Sequence, residues 1–267
     1  MSRAGCALSL WVAVLGGAGC EDDAVFTVPT EVPDLGCQVS TSRTFQVFFV
    51  VDVSNSVAAN DVLDAFQAEL LDFAFAFPEF DSNENRVLVD YYVIGFVNDF
   101  RFFPPGSERM TAPVAVSEAL EQAQVFGSMQ DNTDVEENLL DALNAVFEVA
   151  FDEGSDGELI PNADRILVIG TTDDNFVDQG DTLTPGIQVQ TSYADLSQRM
   201  SEQSDVMSVF MFTPGDIEGI DRNFRLQPPL PVERFNLNAL TGSSGSVGRI
   251  LTQVAVDAAC TQNGTAP

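Results

Sequence analysis

The sequence predicts an α/β fold: a doubly wound, mostly parallel central sheet with one antiparallel edge strand and helices on both faces. Two patterns support this prediction. Short apolar runs rich in Val, Ile and Phe, such as 45–51, 87–97 and 166–170, are typical of buried strands. Between these runs, apolar residues recur every three or four positions, which is the period of a helix packed on one side. Strands that alternate with helices in this way indicate a doubly wound sheet.

The elements follow one another in a regular order. The predicted strands cover residues 45–51, 87–97, 99–103, 166–170 and 206–212, and the predicted helices cover about 58–77, 114–125, 139–150, 192–204 and 247–259. Strand 99–103 turns back beside strand 87–97, which makes it the antiparallel edge. Its phenylalanines are core residues by spacing, with an exposed recognition ridge as the alternative. Residues 213–235 contain several prolines, and they predict a long connection without regular structure.

The composition excludes several classes of function. The chain has 41 acidic residues and 11 basic ones, which are all arginines, and its net charge at pH 7 is −30. A basic patch that binds nucleic acid or an anionic membrane face is therefore not expected. The chain has no histidine, so Ser-His-Asp and Cys-His hydrolase mechanisms are ruled out. These exclusions favour a binding protein, and we expect no enzymatic activity.

Residues 1–19 have the features of an export signal. Arg3 supplies a positive charge, and Ala7–Leu15 is an apolar stretch too short to cross a bilayer. The sequence Gly-Ala-Gly-Cys, ending at Cys20, resembles a bacterial lipobox, although Gly17 replaces the usual leucine. The resemblance implies cleavage before Cys20, a lipid anchor on that cysteine and a place in the bacterial cell envelope. The alternatives are a secreted soluble protein and a retained N-terminal anchor.

The rest of the chain divides into a tether, a domain and a tail. Residues 20–36 are polar and contain prolines, so they predict a flexible tether. The predicted domain covers 37–260, and a short tail covers 261–267. Cys37 and Cys260 flank this domain, and an exported protein meets an oxidising compartment, so a disulfide between them is expected. Two buried thiols without a disulfide are the alternative.

A polar pentapeptide directly follows the first predicted strand. It carries Asp52, Ser54 and Ser56, which are one carboxylate and two hydroxyl groups on a short loop. Loops at the carboxyl ends of parallel strands are where open α/β sheets bind ligands. Hard divalent cations such as Mg²⁺ prefer oxygen ligands of this kind. The alternative is a turn that only caps the next helix, because Ser and Asp also favour helix N-termini.

Two further stretches carry oxygen donors to the same edge of the predicted sheet. Thr133 lies in a polar segment that precedes a predicted helix. Thr172, Asp173 and Asp174 follow strand 166–170. Because the carboxyl ends of parallel strands meet at one edge, we expect these loops to converge with the loop after the first strand.

Together the three loops resemble the metal-ion-dependent adhesion site of a von Willebrand factor type A domain. The resemblance covers about residues 43–258, and it rests on D-x-S-x-S after the first strand, Thr133 at the start of a helix and Thr172-Asp173 after a later strand. Gly95-Phe96 and Leu240-Thr241-Gly242 also resemble the family. The resemblance implies a doubly wound domain that binds protein ligands through a divalent cation.

The family's roles can be placed on matching residues of this chain. By resemblance, Ser54, Ser56 and Thr133 would bind Mg²⁺, or Mn²⁺ or Ca²⁺ in its place, through their hydroxyl groups. Asp52 and Asp173 would bind the cation directly or through water. Mostly neutral ligands leave the cation able to attract a further carboxylate. The open coordination position would therefore accept an acidic side chain of a protein partner.

Two positions depart from the family pattern. Asp174 stands where the family usually has glycine after Thr-Asp, and Asn132 stands where it usually has glycine before the threonine. Asparagine tolerates the left-handed backbone conformation, so the change at 132 is mild. Asp174 either adds a carboxylate to the metal site or points to solvent.

The sequence thus predicts a divalent-cation-dependent protein-binding module, for adhesion or assembly, in an exported lipoprotein. It would contact a membrane only through its N-terminal lipid. One alternative is a structural envelope lipoprotein whose type A domain is degenerate and binds no metal. A remote alternative is metal-assisted phosphoester hydrolysis by Asp52, Asp173 and Asp174, which would need an activated water.

Overall fold

A six-stranded sheet with helices on both faces forms the centre of the computed structural model. All described residues belong to the unit Glu31–Pro267. The structure describes residues 43–54, 62–77, 87–105, 109–130, 137–151, 163–171, 177–180, 182–183, 186–203, 207–213 and 232–236.

The sheet is mostly parallel and has one antiparallel edge strand. Its strands are β1 (Arg43–Asp52), β2 (Val87–Phe96), β3 (Phe100–Phe103), β4 (Asp164–Gly170), β7 (Met207–Thr213) and β8 (Val232–Asn236). Their order across the sheet is β3-β2-β1-β4-β7-β8, and only β3 is antiparallel to its neighbour. A separate hairpin is formed by β5 (Thr182–Leu183) and β6 (Ile187–Gln188). This order confirms the predicted fold class.

Four described helices cover the two faces of the sheet. They are α1 (Val62–Ala76), α2 (Pro113–Met129), α3 (Leu139–Phe151) and α4 (Tyr193–Glu202). Apolar side chains of α1 and α2, such as Phe66 and Leu120, belong to one buried cluster, and those of α3 and α4, such as Leu143 and Leu196, belong to another. The central strand β1 contributes to both clusters, because its alternate side chains point to opposite faces. A strand buried on both sides explains why the run 45–51 is apolar at every position except Gln46.

Helix α1 is also fixed to the sheet by a buried hydrogen bond. The hydroxyl group of Tyr91 on β2 donates a hydrogen bond to the carbonyl oxygen of Ala74 on α1, at 2.9 Å. Burial raises the pKa of Tyr91 far above the ordinary tyrosine value. The phenol therefore stays protonated and keeps donating this bond at any pH near neutrality.

Several sequence-based expectations need correction. The segment 213–235 is not entirely irregular, because β8 begins at Val232 and pairs in parallel with β7. The hairpin β5–β6 was not predicted. The phenylalanines of β3 lie in or against the core as their spacing predicts, and the alternative of an exposed ridge is wrong: Phe103 is buried, and Phe100 and Phe102 are partly buried against the core. They pack inward because β3 has helices on both sides of it.

Other predictions fall outside the described residues. These are the helix over 247–259, the lipidation site at Cys20 and the disulfide between Cys37 and Cys260. Within the part of the chain that the structure describes, no helix is both long enough and apolar enough to cross a membrane.

Candidate cation site

The strand order of the sheet reverses at β1. From β1 the chain continues to β2 on one side, and it later returns to β4 on the other side. Both strands are parallel to β1, and Val51 pairs with Gly170 near their carboxyl ends. Ligands of doubly wound sheets bind in the crevice outside such a reversal point. The residues that follow β1 and β4 therefore occupy the position where a ligand site is expected.

Asp52, the last residue of β1, lies at this reversal point. Its carboxylate is almost completely buried, with 1% of the residue exposed. One oxygen, Oδ1, accepts a hydrogen bond from the backbone N–H of Ser54 at 2.9 Å. The other, Oδ2, accepts one from the hydroxyl group of Thr171 at 3.4 Å. The carboxylate is thus held between the loop after β1 and the loop after β4.

Backbone hydrogen bonds from the neighbouring strands fix both loops. The N–H of Val53 donates to the carbonyl oxygen of Phe96 at 3.0 Å, and the N–H of Thr171 donates to that of Phe212 at 3.1 Å. Helix α2 also packs closely against the loop after β1. At Gly127 of this helix, a Cβ atom would overlap the carbonyl oxygen of Val53. The loops on either side of Asp52 are therefore held by β2, β7 and α2 together.

A second group of buried polar residues lies between the end of β2 and the start of α3. It comprises Asn98, Glu137 and Asn138, each at most 2% exposed. The N–H of Asn138 donates to the carbonyl oxygen of Val97 at 2.8 Å, and its side-chain amide donates to that of Asn98 at 3.4 Å. These bonds attach Asn138, the residue directly before α3, to the carboxyl edge of the sheet.

The structure places two of the predicted ligands together. Asp52 and Ser54 are both buried, and they are joined by the hydrogen bond to the backbone of Ser54. The other predicted ligands, Ser56, Thr133, Asp173 and the further candidate Asp174, lie outside the described residues. Across the described ranges, no cluster of three or more His, Cys, Asp or Glu side chains is present. The described donors are a carboxylate and hydroxyl-bearing residues, which are the donor types that hard cations prefer.

Thr171 is a site residue that the sequence reasoning missed. The prediction used Thr172 and its acidic neighbours, but it is the hydroxyl group of Thr171 that contacts Asp52. Part of the signal was present in the alternation of side chains along the strand. Leu167, Ile169 and Thr171 alternate along β4, and the first two lie in the same cluster as Phe48 of β1. Counting in steps of two puts Thr171 on the same face of the sheet as these residues, and the register of β4 against β1 then brings it beside Asp52.

The contact between Thr171 and Asp52 can be tested with Thr171→Val, which keeps the shape of the side chain and removes its hydroxyl group. We expect the free energy of unfolding to fall by about 1 kcal/mol, because a buried hydrogen bond is lost and the carboxylate keeps its other contacts. Urea unfolding of the variant measures this change.

Thr182→Val is the matched control, since it makes the same change at an exposed position of β5. A Thr171→Val protein as stable as the wild type would show that this contact does not hold Asp52 in place.

Comparison with known proteins finds similarity at the level of structure. No protein-family model matches the chain, and no curated protein matches it in sequence. Similar structures include proximal thread matrix protein 1 from the mussel byssus, with 11% identity and a TM-score of 0.49 over 82% of this chain and 49% of that protein. Another structure of the mussel protein, with a TM-score of 0.46, has zinc in its MIDAS motif.

Two bacterial structures are similar to the same extent. A von Willebrand factor type A structure from Catenulispora acidiphila has 11% identity and a TM-score of 0.47, over 84% of this chain and 44% of its own. BatB from Bacteroides thetaiotaomicron has 12% identity and a TM-score of 0.49, over 80% of this chain and 98% of its own. The likeness is one of fold. The chain spans about half the length of the mussel and Catenulispora proteins, and none of their functions transfers to it by this likeness.

Proposed function

We propose that this domain is a protein-binding module that uses a divalent cation, for adhesion or assembly. The observation that carries the proposal is the placement of Asp52. Its carboxylate is buried at the reversal point of a doubly wound sheet, and it is held by groups from the loops after β1 and β4. A carboxylate held at this edge supplies an oxygen donor of the kind that hard divalent cations bind, at the place where doubly wound sheets bind their ligands.

The residues of the proposed site fall into two groups. Asp52 and Ser54 are the described members, and their oxygen donors fit a hard cation such as Mg²⁺, Mn²⁺ or Ca²⁺. Ser56, Thr133 and Asp173 complete the set by family resemblance, with Asp174 as a further candidate. When bound, the cation supplies a positive centre to which an acidic side chain of a protein partner coordinates. Thr171 and the N–H of Ser54 orient the carboxylate of Asp52.

Binding, rather than turnover, is favoured by the chemistry of the chain. It has no histidine to serve as a general base at neutral pH. Its net charge of −30 would repel an acidic partner at long range. A cation at the carboxyl edge would reverse this repulsion locally, at the one place where the partner's carboxylate docks.

The cellular setting is part of the proposal. The export signal over 1–19, the lipid on Cys20 and the tether over 20–36 would place the domain in the bacterial cell envelope. In that oxidising setting Cys37 and Cys260 would form a disulfide around the domain.

A cation titration tests the proposed function. The purified chain is first treated with a chelator, and its thermal unfolding is then followed at increasing Mg²⁺, Mn²⁺ or Ca²⁺. A cation that binds the folded state stabilises it by mass action, by about 2.7 kcal/mol at a concentration one hundred times its Kd. We expect a concentration-dependent rise in the melting temperature. No rise with any of the three cations at millimolar concentration would contradict the proposal and favour a structural, metal-free domain.

A further inference from the structure

Helix α2 has several exposed apolar side chains. Among the described residues five large apolar side chains are exposed, and three of them, Val114, Val125 and Met129, belong to this helix, with 60%, 52% and 75% of their surfaces exposed. Single exposed apolar residues are common on protein surfaces and need no explanation. Three on one helix can form a binding surface only if they share one side of it.

The three side chains lie on one line along the outer face of α2. Val114, Glu118, Glu121 and Val125 are exposed and follow one another in steps of four, three and four residues, and Met129 comes four residues later. Such steps keep residues on one side of a helix, and they are the spacing at which one helix packs along another. The buried residues of α2 lie on the other side, against the sheet. We call these five exposed residues the outer stripe.

The middle of the outer stripe carries negative charge that no ion pair within the described ranges neutralises. Glu118 and Glu121 are three residues apart, so their carboxylates repel each other. Helix α2 contains no arginine or lysine, so its last turn also lacks a positive charge to complement the helix dipole. Arg101 of β3 is close to the helix, but its guanidinium carbon lies 5.0 Å from the ring centre of Phe126, and its Nη2 atom lies 3.8 Å from Asp99. A partner that brings positive charge would relieve the repulsion and complement the end of the helix.

We propose that the outer stripe binds a cationic amphipathic helix of a protein partner. Apolar side chains of that helix cover Val114 at one end of the stripe, and Val125 and Met129 at the other end. Lysine or arginine side chains between them pair with Glu118 and Glu121. Polar residues within the seam of two packed helices, and complementary charges across it, select the partner. This surface is separate from the cation site, and the inference does not depend on the proposed function.

The charge of the outer stripe decides between this partner and other occupants. A second copy of the chain would place the glutamates of one stripe against those of the other, whether the two helices ran parallel or antiparallel, and the net charge of −30 would add to the repulsion. The same net charge repels an anionic membrane. A neutral bilayer would have to cover the carboxylates of Glu118 and Glu121 without pairing them, which is costly. A cationic helix matches both the apolar ends and the acidic middle.

A synthetic peptide serves as the probe for this surface. It is a fluorescein-labelled helix of leucine, lysine and alanine, with leucines placed to face Val114, Val125 and Met129 and lysines placed to face Glu118 and Glu121. A scrambled peptide of the same composition has the same charge but no apolar face, so it measures non-specific attraction to the acidic chain. Fluorescence anisotropy gives the affinity of the full chain for each peptide. We expect the matched peptide to bind about tenfold more tightly than the scrambled one.

Two double substitutions at exposed positions separate the apolar and the charged contributions. Val125→Ser with Met129→Ser removes the apolar end of the stripe and keeps its charge, and it should weaken binding of the matched peptide about tenfold. Glu118→Gln with Glu121→Gln keeps the shape of the stripe and removes its charge. It should weaken binding to a similar extent, and the remaining affinity should depend less on the salt concentration.

Two matched controls lie on other helices. Phe75→Ser removes an exposed apolar side chain from α1. Glu148→Gln removes an exposed charge from α3 and keeps the oxygen that accepts a hydrogen bond from Asn144. Both controls should bind the matched peptide within about twofold of the wild type. If one double variant does not fold, the other one and its control decide the question.

Each outcome supports or overturns the inference. Tighter binding of the matched peptide, weakened by the double variants and preserved in the controls, supports it. Equal affinity for the matched and scrambled peptides, or an affinity that neither double variant changes, overturns it, because the attraction then comes from the acidic surface as a whole. A wild-type dimer in sedimentation that Val125→Ser with Met129→Ser abolishes overturns it in favour of a second copy. Binding to phosphatidylcholine vesicles that the same variant loses overturns it in favour of a membrane.

Discussion

Replacing Asp52 with alanine is expected to abolish the rise in melting temperature that Mg²⁺ gives the wild-type protein. The substitution removes the only described carboxylate at the reversal point of the sheet, together with its bonds to Ser54 and Thr171. The wild type should gain about 2.7 kcal/mol at a cation concentration one hundred times its Kd, and the variant should gain nothing. Thermal unfolding followed by circular dichroism, with and without chelator, measures both values.

Asp52→Ala should also lose stability in the absence of any cation. The N–H of Ser54 and the hydroxyl group of Thr171 lose a buried acceptor, which costs about 1–3 kcal/mol. Glu118→Ala is the matched control, because it removes the same charge from an exposed position of α2. If Mg²⁺ raised the melting temperature of Asp52→Ala as much as that of Glu118→Ala, the cation would be bound elsewhere on the acidic surface.

The second large effect is expected at Gly127, in the last turns of α2. A Cβ atom at this position would overlap the carbonyl oxygen of Val53, so Gly127→Ala must push the helix away from the loop or shift the loop itself. Overpacking of this kind costs about 3 kcal/mol, whereas alanine improves helix propensity by about 1 kcal/mol. The steric cost is larger, so the free energy of unfolding should fall by about 2 kcal/mol.

Gly127→Ala should weaken cation binding as well, because Val53 lies between Asp52 and Ser54 in the loop. Urea unfolding and a Mg²⁺ titration of the same variant measure the two effects. Ser128→Ala changes the next residue, which is exposed, and should leave stability within about 0.5 kcal/mol of the wild type. An equally stable Gly127→Ala protein with normal Mg²⁺ affinity would mean that α2 does not support this loop.

The fold and the first part of the site could be predicted because their signals are local. The apolar run that ends at Val51 and the polar loop that begins at Asp52 are adjacent in sequence, and together they place an oxygen-rich loop at the end of a buried strand. The antiparallel edge strand β3 was predicted for the same reason, since it follows β2 after a short turn.

The features that were missed depend on contacts between distant segments. Strand β8 is five residues long, and it is defined by pairing with β7 across a segment rich in proline. The role of Thr171 depends on the register between β4 and β1, which the sequence of either strand alone does not contain. Asp141 looks like an ordinary acidic residue in the first turn of a helix, and only the tertiary structure brings residues 190–191 to it.

The contact between Asp52 and Thr171 joins residues that are 119 positions apart in the chain. We expect parallel pairing over such a separation to form late in folding, because the entropy of closing a long loop opposes it. A growing or partly folded chain that lacks β4 therefore has no complete site, whatever the cation concentration around it. Cation binding would then begin only when the native sheet has formed. The rate at which refolding chains gain the ability to bind the cation would therefore measure how fast β4 pairs with β1.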